Sequence, residues 1–351
     1  EQFPRPQVIV SKCLEFGHCR YNGEIVHSDI VQQLIPHVDF IPVCPEMEIG
    51  LGVPRLAVQI MHSEGQKKLI QPATGHDVTN KMTAFAHQFL AAQKHSDCDG
   101  FILKNRSPSC GIKDVRYYHG KNNTVLSSKN PGFFGEAILT RFPHAAIEDE
   151  ERLRNPRIRD HFQTKLFTLA SFRQVKKSHN IRDLITFHTH NKFLFMGYNQ
   201  KEMRHLGQIV AQHTRTSQEK IFQDYEHHLY LVLSHPPRCA SNINVLMHSL
   251  GFVIQELEKE EKAFFLEILE NYRRGCIPLS VATHVLNSWL IRFKEDYLAQ
   301  QTYFHPYPPD LMDVESLNVA PHGITGNENR LSPHQQDTLL PGKQGLPAQV
   351  I

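Results

Sequence analysis

Long apolar runs are missing from this sequence of 351 residues. None approaches the roughly 18 residues that a membrane-spanning helix requires, so no such helix is expected. Cysteine is sparse as well: there are 7, an odd number, and none form a C-x-x-C pair. That count and spacing argue against a disulfide framework and a zinc ribbon. The opening Glu1-Gln2-Phe3-Pro4-Arg5-Pro6 has no secretory pattern. These absences lead to the expectation of a reducing, cytoplasmic setting. An excess of one charge sign is also absent. Lys and Arg number 38 against 36 Asp and Glu, a formal net charge of +2, so no global basic field demands nucleic acid. Histidine, by contrast, is plentiful at 23 residues, which adds positive charge below about pH 6.5.

The length accommodates two ordinary domains, and the pattern changes near residue 150. Before that point short apolar runs alternate with helical segments. Val8-Ile9-Val10 reads as a buried strand, Ile25 to Ile35 as a helix ended by Pro36, and Phe40 to Val43 as a second strand. Leu56 to Ile60 is a further strand candidate, and Phe101 to Lys104 follows Gly100 as another. Asp77 is placed to cap a helix running to about Lys94, with Met82, Phe85, Ala86 and Phe89 at helical spacing. Apolar strands separated by helices predict an α/β domain over 1–155, with a mostly parallel sheet covered by helices on both faces. Beyond it, Phe162-Leu166-Leu169 and Leu246-Leu250-Val253-Leu257 carry helical periodicity and predict an all-α domain over 156–315. Residues 316–351, rich in Pro, Gly, Asn and Gln, read as a disordered tail or a loosely docked arm.

Three cysteines end three of the apolar runs: Cys13, Cys44 in Val43-Cys44-Pro45-Glu46, and Cys110 in Ser107-Pro108-Ser109-Cys110-Gly111. In open parallel sheets ligands gather beyond the carboxyl ends of the strands. Three thiolates meeting there suggest a metal site with one position open. The alternative is that each is a small buried hydrophobe, the usual state of a free cysteine.

The segments Cys13 to Gly23, Cys44 to Arg55 and Leu103 to Gly111 resemble, in order, three motifs of the thiouracil desulfidase family, over roughly residues 7 to 150. The resemblance implies that Cys13, Cys44 and Cys110 hold a [4Fe-4S] cluster whose fourth iron has no protein ligand. One departure is Glu15-Phe16, which stands where the family more often has an apolar residue and glycine. Cys19 raises a second reading, because ligation by its thiol would close the open iron. Cys98, Cys239 and Cys276 fall outside the motif positions and read as packed or surface thiols. Thiolates are natural ligands of such clusters, and an open iron is a Lewis acid for a soft thiocarbonyl sulfur. Glu46, two residues after Cys44, is the candidate general acid–base; its alternative is a strand-end carboxylate capping a helix. Ser107 and Ser109 are candidates to hydrogen-bond the base ring or the cluster sulfur, although Ser-Pro-Ser also favours turns. Arg20, Arg55 and Lys104 are candidates for stabilising negative charge or binding phosphate, although surface charges are more often merely solvated.

The second half also has a resemblance. Phe187 to Leu194, Asn242 to His248, Tyr272 to Leu279 and Gln301 to Pro308 match a helical domain often fused to desulfidase domains. The two-domain form resembles bacterial enzymes that remove sulfur from 4-thiouridine in tRNA. That implies tRNA as partner, gripped by His188, His190, Lys192, Arg273, Arg274 and Tyr303, with the base turned out to reach the cluster. The same residues suit helix packing equally well. Two further readings stay open: desulfuration of free thiouracil, and a non-catalytic iron–sulfur binding or regulatory module. Oligomeric state is not readable.

Overall fold

The computed structural model describes residues 3–63, 65–93, 98–119 and 124–312. The tail expected over 316–351 lies outside them. The strands are β1 (Gln7–Ser11), β2 (Asp39–Val43), β3 (Gln59–Ser63), β4 (Gln66–Gln71), β5 (His76–Asp77), β6 (Gly100–Leu103), β7 (Val115–His119), β8 (Thr124–Asn130) and β9 (Ala146–Asp149). Among and after them run α1 (Asp29–Leu34), α2 (Pro45–Glu48), α3 (Thr79–Ala92), α4 (Phe133–Arg141), α5 (Pro156–Ser178), α6 (Ile181–Ala211), α7 (Gln218–Val232), α8 (Cys239–Val253), α9 (Lys259–Arg273), α10 (Leu279–Phe293) and α11 (Asp296–Ala299).

The expected parallel sheet is present, in the order β2-β1-β6-β9. Val8 pairs with Phe40 on one side and Gly100 on the other. Its two central strands carry apolar runs, Val8-Ile9-Val10 in β1 and Phe101-Ile102-Leu103 in β6, because both faces are covered there. Val8, Val10 and Ile102 face Ile30, Val31 and Leu34 of α1 and Phe162, Leu166 and Phe167 of α5. Ile9, Phe101 and Leu103 point the other way, into Ala86 and Leu90 of α3 and Phe134 and Ile138 of α4. Alternate residues thus enter opposite cores, as the strand period of two requires.

Two elements differ from expectation. The helix over Ile25 to Ile35 shortens to α1, because Val26 is held as a strand-like partner of the first cysteine loop, its N–H donating to the Cys13 carbonyl at 2.7 Å. Ser28 then caps the helix. The strand over Leu56 to Ile60 starts at Gln59 instead, and it joins not the parallel sheet but a second one of order β5-β4-β3-β7-β8. Arg55, just upstream, is tied across to the first cysteine loop by its N–H to the Tyr21 carbonyl at 2.8 Å.

The region from Pro156 onward is helical, as expected, around a core that includes Phe172, Phe187, Phe195 and Tyr225. Asn155 caps α5 by accepting from the N–H groups of Arg157 and Ile158. Within α6 the backbone breaks at Asn199 (φ −156°, ψ 98°). Its carboxamide oxygen accepts from the Glu202 N–H at 3.2 Å and restarts the helix. The two halves share a core across the boundary at 155. Besides the α5 side chains, Tyr307 and Leu311 pack into the same cluster as Val8 and Val10. Tyr307 also donates to Asp160 at 2.7 Å, and His37 meets Asp310 at 2.7 Å. A chain ended near residue 155 would bare one face of the sheet.

Leu166 is fully buried. Leu166→Ala is therefore expected to lower unfolding stability by about 2–5 kcal/mol. In urea this should appear as a lower midpoint with an unchanged slope. An unaltered midpoint would show that α5 contributes nothing to the sheet.

Candidate functional site

The three cysteines stand at the carboxyl ends of three adjacent strands: Cys13 beyond β1, Cys44 directly after β2, and Cys110 in the loop after β6. All three line one cleft of about 700 Å³, together with Cys19 and Glu46. All are free thiols.

The Cys110 loop is held by its own serine and by a helix end. Ser107 Oγ accepts from the N–H groups of Ser109 at 3.3 Å and Cys110 at 3.1 Å, which builds the turn. The first-turn N–H groups of α4, which have no partner within the helix, donate to this loop: Phe133 to the Pro108 carbonyl, and Phe134 and Gly135 to that of Ser109. Two glycines permit the approach. A Cβ at Gly132 would lie 2.6 Å from the Pro108 and Ser109 oxygens, and one at Gly135 only 2.1 Å from the Gly111 oxygen. Gly135→Ala is accordingly expected to push the loop off α4, lowering both the melting temperature and the iron retained after anaerobic reconstitution. Iron content equal to that of the unchanged protein would refute it.

Ser109 does what Ser107 does not. Its hydroxyl donates to Glu46 Oε1 at 2.6 Å. The other carboxylate oxygen takes Arg55 Nε at 2.8 Å and Nη2 at 2.7 Å. This pair is nearly closed to solvent, with side-chain exposures of 4% for Arg55 and 12% for Glu46. Arg55 Nη1 donates to the carbonyls of Cys19 at 2.9 Å and Gly52 at 3.0 Å. The guanidinium is fully engaged in joining the Cys44 segment to the first cysteine loop, so it does not sit open to a substrate. Lys104 is likewise occupied, pairing with the buried Glu150. Arg20 pairs with Glu24 at 3.5 Å on the cleft wall.

Cys19 is buried beside Cys13 and Cys44, and its carbonyl accepts from the Cys44 thiol at 3.6 Å. Its thiol is pushed up to about 11, chiefly by its hydrogen bond with Cys13. Cys44 is raised by its bond to Cys19 and by burial, and Cys110 by burial. These thiols keep their protons at neutral pH unless a cation lies beside them. Among the described residues no three His, Cys, Asp or Glu are gathered for a single metal ion. Cys98 lines a different cavity, Cys239 begins α8 and Cys276 is exposed.

The departure at Glu15-Phe16 leaves this site intact. The Glu15 carboxylate accepts from Gln32 at 3.0 Å and from the Ser28 N–H at the start of α1, and Phe16 packs on Phe40 with ring centroids 5.3 Å apart.

The residues expected to grip tRNA divide. Tyr303 is 8% exposed and donates to Asn242 at 3.3 Å, and His188 bonds the buried Tyr225 hydroxyl at 3.1 Å. Tyr303 belongs to the helical core, and His188 is half-buried against it. Lys192, Arg273 and Arg274 are exposed.

Residues 8–150 match the family described as 2-thiouracil desulfurase, and residues 192–308 match one described as "Protein of unknown function (DUF1722)". The Bacillus subtilis (strain 168) protein described as "Uncharacterized protein YbbK" is 35% identical over 109 residues, covering 30% of this chain and 72% of that protein. The Escherichia coli (strain K12) protein described as "Uncharacterized protein YbgA" is 27% identical over 146 residues, covering 41% of this chain and 86% of that protein. A solved structure titled "[4Fe-4S]-dependent thiouracil desulfidase TudS" is 24% identical with a TM-score of 0.34, covering 43% of this chain and 94% of that one.

Proposed function

Because the chain belongs, through residues 8–150, to the 2-thiouracil desulfurase family, we propose that it removes sulfur from a thiolated uracil ring by hydrolysis, with 4-thiouridine in tRNA as its substrate. The observation that carries the chemistry is the Glu46 carboxylate, hydrogen-bonded to Ser109 in a cleft walled by Cys13, Cys44 and Cys110.

The donor set fits a [4Fe-4S] cluster. Soft thiols are its natural ligands, and here they come from three separate strand ends. Ligands that each bind a different iron stand farther apart than those of a single ion. Cys13, Cys44 and Cys110 would hold the cluster, which when bound would supply a Lewis-acidic iron for the thiocarbonyl sulfur. The chain's own residues handle the protons. Glu46 accepts one from the attacking water as oxygen bonds to the ring carbon. It then returns that proton to the sulfur, and the proton left on the new hydroxyl follows by the same carboxylate as the carbonyl forms and the C–S bond breaks. Ser109 and Arg55 fix the two carboxylate oxygens throughout. Thiocarbonyl and water become carbonyl and hydrogen sulfide, and no electrons are transferred overall.

The cleft volume supports a substrate larger than a single pyrimidine ring. The burial of Tyr303 and the tie of the half-buried His188 to Tyr225 favour the second reading, a free thiouracil, since neither ring is free to stack on unpaired bases. Anaerobic incubation of iron-loaded protein with 4-thiouridine-containing tRNA and with free thiouracil, followed by nucleoside and sulfide analysis, separates the two. Conversion of 4-thiouridine to uridine with stoichiometric sulfide is expected. Conversion of the free base alone would leave the second reading standing, and conversion of neither would reject desulfuration.

A further inference from the structure

A second cavity, of about 550 Å³, opens at the other end of the parallel sheet. Asp99 and Ala145 line it just ahead of β6 and β9, so it lies at the amino ends of the strands, away from the cysteine cleft. Its size suits a small ligand. Among its described lining residues four cations, Arg141, Arg173, Lys176 and Lys177, meet two carboxylates, Asp99 and Glu226. Both carboxylates are taken. Arg173 grips Asp99 through Nε at 3.0 Å and Nη2 at 2.9 Å, and Lys176 pairs with Glu226 at 2.7 Å. Arg173 Nη1 has no partner among the described residues. Arg141 is exposed and bonded through Nε alone, to the Leu90 carbonyl at 3.1 Å, which leaves both its Nη groups open. His144 and Tyr230 stack in the same cavity, ring centroids 4.4 Å and planes 9° apart. The Tyr230 hydroxyl donates to Glu226 at 2.8 Å and so fixes its ring. His144 is exposed. Burial, and then the charges of Lys165 and His227, hold its imidazole below the usual range. At neutral pH it is therefore an uncharged flat ring.

We propose that this cavity binds a small phosphate monoester carrying a flat ring, with the phosphate on Arg141 and Arg173 and the ring on His144. A guanidinium presents its N–H donors at the spacing of phosphate oxygens. The lining holds an excess of two positive charges, which a phosphate dianion offsets. A ring laid on His144 makes the third layer of a stack whose first two are already in place, so little ordering is needed on binding. The walls come from the strand starts, from α5 and from α7, and the bound ligand would tie all three together. A free nucleoside 5′-monophosphate has this chemistry. No residue lines both this cavity and the cysteine cleft, so the inference stands apart from desulfuration.

The test is calorimetric titration of the full-length protein with adenosine 5′-monophosphate, adenosine, inorganic phosphate and the dinucleotide ApA, which has a phosphodiester but no monoester. The monophosphate should bind at least about tenfold tighter than any of the other three, because each lacks the ring or the dianion. R141Q should weaken it by about tenfold or more, the effect of a lost charge-assisted contact. H144A should weaken it by about fivefold or more, the effect of a lost stack. Arg141→Lys should restore part of the affinity. Arg141 and His144 are exposed, so the melting temperatures of the ligand-free variants should stay close to that of the unchanged protein. The nucleotide should raise the melting temperature of the unchanged protein and leave that of R141Q nearly where it was. R106Q, which alters an arginine of the cysteine cleft, should bind as the unchanged protein does. Binding lost in R106Q but kept in R141Q would place the nucleotide in that cleft and overturn the inference. Phosphate or ApA binding as tightly as the monophosphate, an affinity unmoved in R141Q or in H144A, or no binding by the unchanged protein would overturn it too. The titration needs no turnover, so a protein that binds the nucleotide here yet desulfurates nothing keeps this site and loses the proposed activity.

Discussion

Replacing Cys13, Cys44 or Cys110 by alanine is expected to remove both the bound iron and the activity, while Cys19→Ala keeps iron bound. Each of the three thiols closes a different strand of the parallel sheet, so no remaining side chain from the same loop can stand in for Cys44 or Cys110. The first loop is different, because Cys13 and Cys19 both face the cleft. Cys19 lies against Cys13 and Cys44, so the pair Cys13→Ala and Cys19→Ala is the informative comparison. Iron and acid-labile sulfide per chain, measured after anaerobic reconstitution, give the result without an activity assay. Iron lost on Cys19→Ala but kept on Cys13→Ala would exchange their roles. Full iron and full turnover in Cys110→Ala would sink the assignment of the centre altogether.

Glu46→Gln is expected to slow turnover by about 10²-fold or more, as befits a lost general acid–base. The substitution is nearly isosteric, and Ser109 retains an oxygen to which it can donate. Arg55 fares worse, since its guanidinium is almost fully buried and loses its carboxylate partner. Breaking a buried pair from one side costs about 3–5 kcal/mol. The measurement must therefore separate stability from catalysis. Thermal melts should show the loss of stability, and rates taken well below the melting transition should still show the fall in kcat. Glu46→Asp keeps the charge but shortens the reach, so it should recover stability more than rate. A Gln variant with unchanged turnover would move proton transfer to Ser109 or to a bound water, with Glu46 left as the anchor of Arg55.

Much of this is legible in the sequence. An apolar triplet such as Val8-Ile9-Val10 with no polar alternation means a strand covered on both faces, and Cys44 directly after Phe40 to Val43 had nowhere to sit but a strand end. The motif resemblance pointed to the same three cysteines. What stayed hidden depended on contacts between distant segments. Glu46 and Arg55 are nine residues apart, yet their pairing exists only because the chain between them loops back over the first cysteine segment. The Ser-Pro-Ser pattern suggested equal roles for Ser107 and Ser109. Backbone geometry divided them, giving one to the turn and the other to the carboxylate. The second sheet is not legible in the sequence because strands such as Gln66–Gln71 bury only Leu69 and Gln71 and set Lys68 on the other face. The division at 155 was a real change in pattern, but periodicity says that a helix has an apolar face without saying what covers it.

That shared core sets an order of events while the protein is being made. The partner of Val8 in β6 lies 92 residues later in the register Val8 with Gly100. The aromatic side chains that seal the sheet lie beyond it in α5, and Tyr307 and Leu311 arrive later still. At translation rates of roughly 5–20 residues per second, about ten seconds or more separate β1 from its cover. During that interval the first cysteine loop has left the ribosome without the neighbours that bury it. Its thiols are then open to oxidants, and the sheet edge is open to other chains. Slower synthesis or a more oxidising medium should thus lower the yield of protein with its three cleft thiols intact, even when the finished fold is unaltered.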